Sequence, residues 1–143
     1  MWLFAVLMMI VVGADRWLKL LAQQGITKSI GFSQFTLVKN DALVFSWPAP
    51  NWFAALMMIA VIGGLSYALR RKLCAPVSLV HVGYALIVAG ALSNLYDRLV
   101  FGYVIDWAYL GRWWPVFNIA DVMIGVGVIV LLVKRNKVFG NKE

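Results

Sequence analysis

Apolar residues are concentrated in four long stretches of the chain, and the segments between them carry most of the charges. The stretches cover residues 1–21, 52–69, 76–96 and 116–133. Each is close to the ~20 residues that an α-helix needs to cross ~30 Å of hydrocarbon. The pattern therefore predicts four transmembrane helices in a single integral membrane domain over 1–143.

The connection between the first two stretches has a different pattern. Residues 27–47 are rich in Ile, Phe, Thr and Val with partial alternation, and Lys39–Asp41 is a turn signal. This predicts a short antiparallel sheet at the outer membrane surface. Trp47 and Trp52 flank residues 48–50 and suit a short helix or turn at the membrane interface.

Composition supports the membrane assignment, because 63% of the residues are hydrophobic against about 45–50% in soluble domains. The net charge of +7 lies in short clusters beside apolar runs, which is typical of membrane topology and not of a nucleic-acid partner. The single cysteine, Cys74, forms no internal disulfide and belongs to no metal-binding spacing.

The distribution of lysine and arginine predicts the orientation of the chain in the membrane. Seven of them would lie on one side of four spans and six on the other, but Arg70–Lys72 fill a very short connection. The positive-inside rule then favours both termini in the cytoplasm. Most acidic residues map to the outer half: Asp15, Asp41, Asp97, Asp106 and Asp121.

Polar groups concentrate at the outer ends of spans three and four. Asn94 and Asp97 are three residues apart and would share a helix face, as would Asn118 and Asp121. Pro115 suits the first turn of span four. Asp121 would then lie roughly 9 Å along the helix axis, near the interface.

Asp106 lies only a short loop away from Asp121, in a β-branched and aromatic stretch that we expect to be an extended loop. Two adjacent carboxylates in a low dielectric share a proton, so one can act as a base and the other as an acid. That arrangement suits an aspartic protease. Paired acids also serve proton and cation carriers, so a small coupled transporter is the alternative, and a non-catalytic scaffold is another.

Five motifs resemble one family in order along nearly the whole chain. They are Asp15–Lys19 (D-x-x-x-K), Lys39–Phe45 (N-x-G-x-A-F), Gly90–Arg98 (G-N-L-x-D-R), Gly102–Trp107 (G-x-V-x-D-F) and Pro115–Asp121 (P-x-F-N-x-A-D). The chain resembles the lipoprotein signal peptidase (signal peptidase II) family, the intramembrane aspartic proteases of bacteria.

The resemblance implies that Asp106 and Asp121 are the catalytic pair and that no metal or organic cofactor is used. It implies four helices, an outer β-cradle and a site near the outer leaflet of the bacterial inner membrane. The substrate would be a diacylglyceryl-modified prolipoprotein, cut before its lipidated cysteine. Other expected partners are membrane lipid and cyclic peptide inhibitors such as globomycin, and we expect a monomer.

Several further polar residues have two interpretations each. Asn94, Asn118 and Arg98 either position the aspartates and substrate or form helix–helix hydrogen bonds. Asn40 either binds substrate or stabilises a turn.

Three polar residues are interpreted as structural. Asp97 would hold Arg98 or a loop amide, and Asp15 and Lys19 would form an interfacial ion pair. Two departures from the motifs, Ala42 and Ser93 in place of glycines, would alter the substrate groove.

Overall fold

The computed structural model describes residues 2–42, 50–70, 78–111 and 113–139 of the 143-residue chain. The described part is mainly helical with one small antiparallel sheet, which confirms that part of the predicted fold. The elements, in chain order, are α1 (Trp2–Gln23), β1 (Lys28–Ile30), β2 (Ser33–Asn40), α2 (Asn51–Arg70), α3 (Leu79–Phe101), β3 (Val104–Tyr109) and α4 (Ile119–Phe139).

Two helix ends differ from the predicted spans in a way that matters for the site. α3 continues to Phe101, so Asp97 and Arg98 belong to the helix. It ends at Gly102, whose φ of 85° is a left-handed conformation that glycine adopts without a Cβ clash. α4 begins only at Ile119, so the prediction that Pro115 lies in its first turn is wrong.

Among the four helices of the described residues, α2 and α3 are long and apolar enough to cross a membrane by length and composition alone. α1 is not one of these two, and it carries three charged residues, Asp15, Arg16 and Lys19, inside its length. The number of spans therefore stays a prediction.

The sheet has the order β1-β2-β3, with both pairs antiparallel. Residues 43–47 of the predicted β-rich segment and residues 48–49 of the interfacial turn lie outside the described residues. The expectation that Asp106 lies in an extended loop is wrong, since it belongs to β3 and pairs with Val38 of β2. The segment Val104–Tyr109 forms a strand because its β-branched and aromatic residues suit a partly buried sheet.

α3 packs against each of the other three helices, and its contact with α4 is especially close. A Cβ on Gly90 would lie 2.5 Å from the carbonyl oxygen of Ala120, much closer than two such atoms can approach. Gly90 therefore lets α3 lie directly against the first turn of α4, where Asp121 is located.

Gly90→Ala should lower the thermal stability of the protein in detergent and reduce its activity, because the added methyl group forces α3 and α4 apart. The measurement is the apparent unfolding temperature together with cleavage activity. Gly125→Ala is the matched control, since a Cβ there meets nothing within 4 Å. Equal unfolding temperatures for the two variants would contradict the prediction.

Candidate active site

A short backbone contact brings the segment before α4 against β3. Phe117 and Ala108 form an isolated antiparallel bridge, with N–H···O distances of 2.9 Å and 3.1 Å, and the N–H of Trp107 also donates to Phe117. The next residue, Asn118, is thereby placed beside Asp106. This contact explains how an aspartate on β3 and an aspartate on α4 reach the same place.

Asn118 is the N-cap of α4. Its Oδ1 accepts a hydrogen bond from the backbone N–H of Asp121 at 2.9 Å, and its own backbone N–H donates to Asp121 Oδ2 at 3.1 Å. This is a reciprocal capping arrangement in which the acidic side chain occupies the third helical position. Asp121 therefore lies in the first turn of α4, and the prediction that it lies roughly 9 Å along the helix axis is wrong.

The same asparagine also holds Asp106, because its Nδ2 donates to Asp106 Oδ1 at 2.7 Å. Asn118 thus donates one N–H to each aspartate, and it is fully buried. The structure brings together the two predicted catalytic residues through one shared partner.

The two remaining carboxylate oxygens have asparagine donors as well. Asn40 Nδ2 donates to Asp106 Oδ2, and Asn94 Nδ2 donates to Asp121 Oδ1, both at 2.8 Å. Asn40 Oδ1 also accepts from the N–H of Ala42, as the turn interpretation of Asn40 expects, and binding of substrate by Asn40 stays a prediction. Asn40, Asn94 and Asn118 all contact the aspartates.

Burial and charge change the acidity of Asp106, whose exposed fraction is 1%. Desolvation, and next the negative charge of Asp121, raise the pKa of Asp106 to about 6, against the lowering effect of hydrogen bonds from Asn40 and Asn118. Asp106 can therefore hold or release a proton near neutral pH, as an acid–base group must.

A buried ion network lies behind the aspartates. Lys19 Nζ contacts Asp15 Oδ2 at 3.1 Å and Asp97 Oδ2 at 2.7 Å, and all three side chains are fully buried. The expected pair of Asp15 and Lys19 is therefore present and is buried inside the protein, while its position at the membrane interface stays a prediction. Asp97 also accepts the backbone N–H of Ile105, which belongs to the strand β3 and not to a loop as expected, and this hydrogen bond ties α3 to β3 beside Asp106.

Arg98 contacts the chain on either side of residues 43–49. It donates to the carbonyl oxygen of Ala42 and to Asn51 Oδ1, and Asn51 Nδ2 donates to the carbonyl oxygen of Arg98. Asp97 pairs with Arg16 and Lys19, so the considered contact between Asp97 and Arg98 is not the one formed. Arg98 joins the end of the sheet to the start of α2.

The structure places the two departures from the motifs in different surroundings. Ala42 uses only its backbone in these contacts, which an alanine provides as well as a glycine. Ser93 is buried and donates to Asp15 Oδ2 at 2.6 Å, so it lies in the ion network and not in a substrate groove.

Sequence reasoning missed Arg16, which pairs with Asp97 at 2.6 Å and lies over the ring of Tyr96. A usable signal was present, since Asp15, Arg16 and Lys19 lie within about one turn of an apolar helix. Charges at such a position usually face the protein interior and pair with one another.

Among the described residues, no group of three or more His, Cys, Asp or Glu side chains is arranged to hold a metal ion. The donors around the aspartates are asparagine and backbone N–H groups. The expectation that the site uses no metal or cofactor stays a prediction.

The fold is that of a bacterial membrane enzyme. A solved structure described as a bacterial membrane enzyme superposes with a TM-score of 0.86 at 25% identity, covering 100% of this chain and 93% of that one. A second structure with the same description has a TM-score of 0.78, covers 94% of this chain and 92% of that one, and at 24% identity it supports the fold alone.

Sequence comparisons show the family to which this chain belongs. Residues 7–136 match the model of signal peptidase (SPase) II. The lipoprotein signal peptidase of Chlorobium luteolum is 32% identical over 99% of this chain and 95% of its own length. That of Yersinia pseudotuberculosis is 34% identical over 92% of this chain and 83% of its own.

The chain belongs to the signal peptidase II family and is a protease. The comparisons confirm the resemblance seen in the five motifs. They give no support to the transporter alternative.

Two substitutions should move the pKa of Asp106 in opposite directions. Asp121→Asn removes the neighbouring negative charge and should lower the pKa below about 6, whereas Asn40→Ala removes a donor to the ionised carboxylate and should raise it. The measurement is a pH titration of aspartate carboxyl carbons by NMR in detergent micelles. Shifts of the same sign in both variants would contradict this account.

Proposed function

We propose that Asp106 and Asp121 are the catalytic pair of a signal peptidase II that removes the signal peptide from diacylglyceryl-modified prolipoproteins. Cleavage falls before the lipidated cysteine. The observation that carries the proposal is that all four carboxylate oxygens accept an N–H, two of them from Asn118. So many fixed donors around the buried Asp106 and the half-buried Asp121 hold the two acids in one geometry for reaction.

In the proposed reaction one aspartate is ionised and the other is protonated. The ionised member takes a proton from a water molecule, whose oxygen attacks the scissile carbonyl carbon, while the protonated member donates to the carbonyl oxygen. Collapse of the tetrahedral intermediate breaks the C–N bond. The leaving amine takes the proton that the first aspartate received from water, and the second aspartate takes back a hydroxyl proton of the intermediate, which leaves a carboxylic acid and restores the pair. The raised pKa of Asp106, about 6, suits the exchange of this proton near neutral pH.

The surrounding residues have supporting roles in this proposal. Asn40, Asn94 and Asn118 orient the carboxylates. Arg98 holds the chain on both sides of residues 43–49 beside the site and contacts the substrate backbone or a globomycin-type cyclic peptide.

The membrane arrangement that fits this function is a single domain of four spans in the bacterial inner membrane, acting as a monomer with both termini cytoplasmic. The site and sheet then lie near the outer leaflet. Exposed aromatic side chains support this placement: Phe32 at the β1–β2 turn is 77% exposed, and Trp113 and Trp114 after β3 are 93% and 60% exposed. Such residues are typical of the membrane interface, where a lipid-modified substrate arrives.

Replacement of either aspartate should abolish turnover. We expect Asp106→Asn and Asp121→Asn to lower cleavage of a diacylglyceryl-modified prolipoprotein by about a thousandfold or more, because acid–base catalysis is lost. The measurement is release of the signal peptide in lipid or detergent by purified protein.

Asp41→Asn is the matched control, since Asp41 is an exposed aspartate on the same side of the fold and should keep near-wild-type turnover. Thermal unfolding of all three variants separates lost chemistry from lost folding. Near-wild-type turnover by either Asp106→Asn or Asp121→Asn would refute the catalytic assignment.

The single cysteine allows a test of orientation. A membrane-impermeant maleimide added to spheroplasts should leave Cys74 unlabelled until the membrane is permeabilised, because its connection is proposed to be cytoplasmic. Lys28→Cys in a Cys74→Ala background should react from outside, since Lys28 is exposed on β1. The reverse labelling pattern would overturn the orientation.

A further inference from the structure

Lys19 has a complete set of hydrogen-bond acceptors although it is buried. Its ammonium group contacts Asp15 Oδ2 at 3.1 Å, Asp97 Oδ2 at 2.7 Å and Asn94 Oδ1 at 2.9 Å. An ammonium has three N–H donors, so all three are used. Two of the acceptors are charged and balance the lysine, whereas the third belongs to a residue that contacts the catalytic pair.

The charges of this network are balanced without the catalytic aspartates. Asp97 Oδ1 pairs with Arg16 at 2.6 Å, so two cations face the two carboxylates of Asp15 and Asp97. Buried charges need such partners because desolvation is costly. A salt bridge alone would not require the contact from Lys19 to Asn94.

That contact decides which way the amide of Asn94 faces. An ammonium can only donate, so the amide atom next to Lys19 must be the oxygen. The NH2 group of Asn94 then faces Asp121 Oδ1, to which it donates at 2.8 Å. Asn118 Nδ2 donates to the same Asn94 oxygen at 3.2 Å, which agrees with this direction.

A reversed amide would be unfavourable at both ends. Its NH2 group would face the ammonium of Lys19, and its oxygen would face the carboxylate of Asp121. Without Lys19, the end of the amide that faces away from Asp121 would be held only by the weaker hydrogen bond from Asn118. Loss of the N–H donor would leave Asp121 Oδ1 without its hydrogen bond. The carboxylate of Asp121 would then be free to rotate or to repel the carboxylate of Asp106.

We propose that Lys19 is a positioning residue for Asp121, acting through Asn94, whose amide it holds with the NH2 group towards the carboxylate. The inference rests on the proposed catalytic role of Asp121. It differs from a purely structural ion pair because it predicts an effect on turnover that depends on Asn94.

The test combines Lys19→Met with Asp15→Asn, because Lys19→Met alone would leave two buried carboxylates facing one cation. In Asp15→Asn, the lysine keeps its contacts with Asp97 and Asn94. Lys19→Met added to this variant leaves Arg16 paired with Asp97. The two proteins differ only in the presence of the ammonium group, and each is made with Asn94 and with Asn94→Ala.

With Asn94 present, Lys19→Met should lower kcat for the lipid-modified prolipoprotein about tenfold or more, because a misplaced catalytic group is costly. KM should change by less than about twofold, since the substrate contacts remain. In the Asn94→Ala background the same change should alter kcat by less than about twofold, because interacting residues are not additive. An equal loss of kcat in both backgrounds would overturn the proposal.

A second measurement needs no substrate. In protein labelled with 15N-asparagine, the side-chain NH2 resonance of Asn94, assigned by its loss in Asn94→Ala, should exchange slowly with water and change with the ionisation of Asp121. Lys19→Met in the Asp15→Asn background should remove this protection, whereas Asp15→Asn alone should keep it. Unchanged protection after loss of Lys19 would overturn the proposal. This outcome does not depend on the proposed catalytic function, because the measurement uses no substrate.

Discussion

The hydrogen bonds of Asn118 are the interaction on which the site depends. Asn118 is the N-cap of α4. It accepts the N–H of Asp121 and donates separate N–H groups to Asp121 and Asp106. Two carboxylates in a region of low dielectric repel each other, so they stay together only if fixed donors offset that cost. The bridge between Phe117 and Ala108 keeps Asn118 in place, and thus the geometry of the pair depends on a few backbone contacts next to it.

The ion network behind the pair has a different physical role. Asp15, Lys19 and Asp97 join α1 to α3, while Asp15 Oδ1 also accepts the N–H of Ala120 in the first turn of α4 at 3.0 Å. These contacts connect α1 to both α3 and α4 through charged groups. Ser93 adds a hydroxyl donor to the same carboxylate, and so a departure from the family motif strengthens the network and leaves the aspartates unchanged.

The site at the helix ends and the membrane location of the fold are linked. A carboxylate at the centre of a bilayer would be expensive, but the first turn of a helix lies near its end, where the N-terminal N–H groups also favour negative charge. Asp121 occupies such a position, and Asp106 lies on a strand outside the helices. The proposed function, cleavage of a substrate held by lipid tails, suits this combination of apolar helices and polar groups at their ends.

Hydrophobic periodicity and motif order were enough to predict the mainly helical fold with a small sheet, the family, and the residues now proposed as catalytic. These features depend on local composition and spacing, which the chain displays directly. Only the tertiary structure decided that Asp106 lies on a strand, that Asn118 serves both aspartates, and that Lys19 is buried against Asn94. Hydrogen-bond direction and burial depend on which distant segments meet: α1 and α3 contribute residues 75 positions apart to one contact, and no local pattern records that pairing.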